Sequence, residues 1–154
     1  MLMKLSISCL MILFASLALS CSKLSGTEQS KPFPAGDYQY TGYDDKGEKM
    51  VEGRLSITSV ENKRIGSEDT IQLKGNWELK EIGKHEHIGQ QAGSGNLVGS
   101  MFKGGELDIN LNPNIEDANV YLRGTIEGRR FHGTWRFNGY EGTLSSGKFE
   151  AIRK

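Results

Sequence analysis

Apolar residues in this chain recur at every second position, and glycine interrupts them about every ten residues. Leu73, Gly75, Trp77 and Leu79 take one side of an extended segment while Lys74, Asn76, Glu78 and Lys80 take the other. The same period appears in Val51, Gly53, Leu55, Ile57; in Leu107, Ile109, Leu111; in Val120, Leu122, Gly124, Ile126; and in Phe131, Gly133, Trp135, Phe137. A period of two places alternate side chains on opposite faces of a strand, so each segment predicts a strand with one wet face. The 20 glycines all fall after residue 20, which leaves little room for a helix of ordinary length.

Turn chemistry separates the runs: DDKG at 44–47, GSED at 66–69, KGG at 103–105, NPNIED at 112–117, EGR at 127–129, NG at 138–139 and SSG at 145–147. The runs they bound predict eight strands, over 37–43, 48–59, 70–82, 95–102, 105–111, 119–127, 130–138 and 140–152. Short connections between sequential strands favour an antiparallel meander. The longest connection is 83–94, GKHEHIGQQAGS. A meander with one apolar face has two exposed edges and nowhere to bury that face unless it closes, so the expected fold is all-β, a single eight-stranded antiparallel up-and-down barrel over 36–154.

Both tryptophans sit in a Gly-x-Trp frame, GNW at 75–77 and GTW at 133–135. Gly53, Gly75, Gly99, Gly124 and Gly133 each precede a bulky inward residue by two positions: Leu55, Trp77, Met101, Ile126 and Trp135. A glycine inside a strand costs about 0.5–1 kcal/mol relative to alanine, so these positions need a compensating role. Sharp coiling of strands around a small barrel is one, and alternation of small with large side chains inside a narrow lumen is another. A pocket floored by Trp77 and Trp135 is the functional alternative.

The N-terminus carries Lys4 and then an apolar run from Leu5 to Leu19 of about 15 residues, short of the roughly 20 of a membrane-spanning helix. It fits a secretory signal peptide over 1–20. Leu17, Ala18, Leu19, Ser20 and Cys21 resemble the lipobox of bacterial lipoproteins. That resemblance implies cleavage before Cys21, lipidation of its thiol and acylation of its new amine, hence anchorage to a membrane through lipid on Cys21. Two or more acyl chains make such attachment effectively permanent. Ser22 after the cysteine resembles the signal for transport to the outer membrane, so the expected location is the cell envelope, facing the periplasm or cell surface. Residues 21–35 are polar, end in prolines, and predict a flexible tether with a reach on the order of 20 Å. With Cys9 removed and Cys21 capped, no disulfide, cysteine nucleophile or cysteine metal site is expected.

In architecture the chain resembles the calycin barrels, the lipocalins and avidin-like proteins, through its strand count and the Gly-x-Trp frames. It departs from lipocalins in placing those frames mid-chain and late and in lacking a C-terminal helical pattern. LNPNIEDANVYLRG and HGTWRF are similar to segments of small bacterial lipoproteins, which implies a class and no activity.

Removal of Lys4 from the 19 basic residues leaves 18 against 19 acidic ones, a net charge near −1 with no basic cluster, so nucleic acid is not an expected partner. His85, His87 and His132 are the three histidines, but HEH lies in a polar stretch and His132 alternates outward, so no metal is expected. GQQAGSGNLVG lacks the spacing and lysine of a phosphate loop, G-x-S-x-G is absent, and Asp44–Asp45 and Glu116–Asp117 fall in turns. No catalytic residue or cofactor is expected. Two function classes follow. In one the barrel binds a small apolar ligand against Trp77, Trp135, Phe137 and Tyr40 at its mouth or lumen. In the other a filled barrel acts by its surface as a module that binds or inhibits an envelope protein.

Overall fold

The computed structural model describes residues 35–154 apart from 66, 67, 84, 86, 87 and 90; residues 1–34, where the signal peptide, the lipid on Cys21 and most of the tether are expected, lie outside the described residues. Eight strands follow in chain order: β1 (Gly36–Tyr43), β2 (Lys49–Ile65), β3 (Glu68–Glu81), β4 (Gly93–Met101), β5 (Glu106–Asn110), β6 (Asn119–Glu127), β7 (Arg130–Gly139) and β8 (Gly142–Arg153). Each pairs antiparallel with the next, and β1 pairs with β8 from Tyr38↔Arg153 to Tyr43↔Lys148, which closes the barrel. The fold is therefore an all-β up-and-down barrel, with no helix among the described residues.

The inward positions of the alternating runs make one apolar cluster. Tyr40, Leu107, Ile109, Leu111, Val120 and Leu122 are fully buried, with Leu55, Leu73, Leu97 and Trp135 nearly so. Phe149 joins two walls: its ring stacks on Tyr40 at a centroid separation of 5.7 Å and meets Phe131 edge-on at 4.7 Å. Such pairs add about 0.5–1.5 kcal/mol each beyond the area they bury.

The mid-strand glycines sit where neighbouring backbones crowd. A Cβ on Gly124 would collide with the carbonyl oxygen of His132, and one on Gly133 with that of Arg123. These two glycines face each other in the β6–β7 register. Gly75 is likewise pressed against the Ser56 carbonyl, and a Cβ on Gly99 would lie 2.6 Å from Asp108 O. Missing side chains thus let the strands coil tightly enough to close. Two further glycines carry the indoles: Gly95 is the cross-strand partner of Trp77 and Gly147 of Trp135, where a Cβ would lie 3.0 and 2.7 Å from the indole nitrogens.

Several boundaries depart from the sequence expectation. Where a turn is expected over 66–69, β2 continues to Ile65 and β3 already begins at Glu68. Exposed Glu61, Asn62, Lys63 and Arg64 belong to this extension; backbone pairing holds it, and it carries no apolar period to betray it. β4 starts at Gly93, within the segment expected to be loop, and β8 starts at Gly142. The 82–92 connection also differs from a plain solvated loop, since Ile88 and Gln91 are buried.

The connections at 44–48, 82–92, 111–118 and 140–141 share one end of the barrel. The other end holds Ala35, Lys154 and the turns at 102–105 and 128–129. Lys154 N donates to Asp37 O at 2.9 Å, so both ends of the described chain meet there.

Candidate functional site

The four aromatic residues singled out in the sequence all point inward. Tyr40, Trp77 and Trp135 belong to the buried cluster, and half-buried Phe137 packs against it. Their polar atoms are engaged within the protein. Trp135 Nε1 donates to Tyr43 O at 2.7 Å, and Trp77 Nε1 donates to Leu111 O at 2.5 Å. The Tyr40 hydroxyl donates to Gln91 Oε1 at 3.2 Å, and Gln91 Nε2 donates to Ile88 O at 2.8 Å. Burial pushes the Tyr40 phenol far above its ordinary range.

Residues 88, 89 and 91 thereby cover the interior at this end. Gly89 has φ +66 and lies on the Phe137 ring, so close that a Cβ would overlap the ring carbons. A left-handed φ in face contact with an aromatic leaves glycine as the residue that fits. The neighbouring 111–118 connection is laced by asparagines. Asn110 Oδ1 accepts from Asn112 N at 2.8 Å, Asn110 Nδ2 donates to Asn119 Oδ1 at 2.7 Å, and Asn119 Nδ2 donates to the carbonyls of Ile115 and Glu116 at 2.7 and 3.0 Å. Leu111 N still donates to Val120 O at 2.9 Å, and beyond it these side-chain amides hold the connection, which keeps Leu111 O in place to receive Trp77.

The two described histidines lie apart. His85 lies in the 82–92 connection, where its backbone N donates to Glu81 Oε1 at 3.1 Å. His132 faces outward near the opposite end, its Nε2 at 3.3 Å from Glu127 Oε2, and His87 lies outside the described residues. Among the described residues, no three His, Cys, Asp or Glu side chains are placed to hold a metal ion.

A concave site lies instead on the outer wall. Asp108 of β5, Tyr121 and Arg123 of β6, and Thr134, Arg136 and Asn138 of β7 line an open groove of about 260 Å³. The register arranges them in rungs across the sheet. One runs Asp108, Arg123, Thr134 and Lys148; the next runs Asn110, Tyr121, Arg136 and Ser146. In the first rung Arg123 donates from Nε and Nη2 to Asp108 Oδ2 at 3.2 and 2.6 Å, and Glu106 stands 3.9 Å from Nε. The hydrogen bond to Asp108 is the main reason the Arg123 guanidinium is held above its usual pKa. In the second rung Arg136 is exposed and, among the described residues, has neither a hydrogen bond nor an ion pair, and the Tyr121 hydroxyl has none either. Asn138, which also lines the groove, accepts at Oδ1 from Thr143 Oγ1 at 2.8 Å, and its amide nitrogen has no partner among the described residues.

Two guanidinium groups and one carboxylate line this groove, and that carboxylate is occupied by Arg123. The geometry suits recognition of a polar or anionic group. Sequence reading passed over these six residues because each is an ordinary polar residue on a wet face. The signal lies in their lateral adjacency, which only the strand register reveals. No protein-family model matches the chain, and a search of curated proteins finds no match.

Proposed function

We propose that this is a non-enzymatic binding module, held at a membrane by lipid on Cys21, that engages an envelope partner through the outer wall of its barrel. One observation carries this reading: the Trp77 and Trp135 N–H groups and the Tyr40 O–H are satisfied inside the protein, whereas an outward guanidinium, Arg136, stands in a groove with no partner among the described residues. β1 begins at the end of the barrel away from the 82–92 connection.

A second reading keeps the interior as the site, with a small apolar ligand against Trp77, Trp135, Phe137 and Tyr40. The observation that favours it is that residues of an irregular connection, not of a strand, lie against two of these aromatics, Gly89 on Phe137 and Gln91 on Tyr40. Titration of the full-length chain with long-chain apolar quenchers of tryptophan fluorescence separates the two. The outer-wall reading expects no saturable quenching, and expects capture of an envelope component that Thr134→Tyr, which fills the groove, abolishes. Saturable quenching together with capture indifferent to Thr134→Tyr would overturn it in favour of the interior.

A further inference from the structure

Resting on the outer-wall reading, we propose that the groove between β5, β6 and β7 is a carboxylate-binding site in which Arg136 is the bidentate donor and Tyr121 the platform for the ligand's carbon frame. Arg136 pairs across the sheet with Tyr121 and Ser146, and the charged side chains on its diagonals are Arg123 and Lys148, both cationic. Opposite charges on facing or diagonal positions are the usual way a sheet neutralises an arginine, and here that partner is missing. Asp108, the carboxylate in the groove, lies two strands away and accepts from Arg123 at 2.6 Å.

The unmatched charge is a fork of N–H donors, whose geometry fits a carboxylate through two parallel hydrogen bonds. Around it stand the Tyr121 and Thr134 hydroxyls and the Asn138 amide, which can donate to the remaining lone pairs. Half-buried Tyr121 lines the groove on the strand position paired with Arg136, so a carboxylate on a ring or short chain can gain apolar contact as well. A volume of about 260 Å³ suits a small acid or one acidic side chain.

The test is a titration of the full-length chain followed by ¹H–¹⁵N correlation spectra, including the Arg136 Nε–H resonance. Benzoate is expected to shift that resonance and the amides of 119–123 and 134–138 saturably, and its neutral isostere benzamide to bind weaker by about tenfold or more. Arg136→Gln should lower benzoate affinity by a similar factor with the remaining spectrum unchanged. Arg136→Lys should recover part of it, because an ammonium keeps the charge without the fork. A tripeptide amide with one glutamate side chain identifies the source: tighter binding than benzoate indicates a partner's acidic side chain, and weaker binding a free acid. Equal binding of benzoate and benzamide, or benzoate affinity indifferent to Arg136→Gln, overturns the carboxylate assignment. If that happens while Thr134→Tyr still abolishes capture of an envelope component, the outer-wall reading stands and this deeper one falls.

Discussion

Gly124 and Gly133 face each other across β6 and β7, each pressed by the other strand's backbone. An added methyl cannot be absorbed by a rotamer change there, since the obstacle is a carbonyl and not a side-chain tip. Gly133→Ala is expected to lower stability by about 1–3 kcal/mol, as overpacking does, whereas Thr125→Ala on the exposed face of β6 should change it by less than about 0.5 kcal/mol. Urea midpoints of the two variants check this. Tyr40 gives the residue scale its pH dependence. Burial raises its pKa, and Tyr38 is raised for the same reason against an opposing effect of Arg153. An unfolded tyrosine gives up its proton near pH 10, while the folded barrel keeps it, so stability is complete below that pH and declines above it. The slope approaches about 1.4 kcal/mol per pH unit for the Tyr40 phenol. Denaturation midpoints at pH 9 and pH 11 should therefore separate in the wild type and separate less in Tyr40→Phe.

Among the elements, the 82–92 connection departs furthest from its sequence signature. GKHEHIGQQAG reads as polar loop, yet Ile88 enters the core, Gly89 rests on Phe137 and Gln91 is buried against Tyr40. Gln91→Ala strands the Tyr40 hydroxyl without its partner, a loss of about 1–3 kcal/mol for a buried group. In a background of Tyr40→Phe the same substitution should cost less, and a double-mutant cycle by urea unfolding measures the difference. Additive costs would mean that the connection is held by packing of Ile88 and not by this hydrogen bond. β2 and β3 make the converse point. Their apolar halves were legible as strands, but the ladder from Asn62↔Ile71 to Ile65↔Glu68 runs through polar residues whose pairing no periodicity announces.

At the scale of the whole molecule, closure converts eight wet-faced strands into one interior and one continuous outer wall. The β1–β8 seam buries Ala151 and Phe149 beside Tyr40 and leaves neither strand as an open edge. Alternation, turn residues and glycine spacing determine strand number, connection order and which side chains face inward, because each depends on neighbours within a few positions along the chain. Tyr40, Trp77, Trp135 and Phe137 could therefore be assigned to the interior from the sequence. What they do there could not, since the hydrogen bonds of Tyr40, Trp77 and Trp135 reach Gln91, Leu111 and Tyr43 through contacts 34 to 92 residues apart. The groove belongs wholly to the tertiary structure. Arg136 meets Tyr121 and Ser146 through strand register, and whether its charge finds a counterion depends on side chains that lie next to it in space and far from it in sequence.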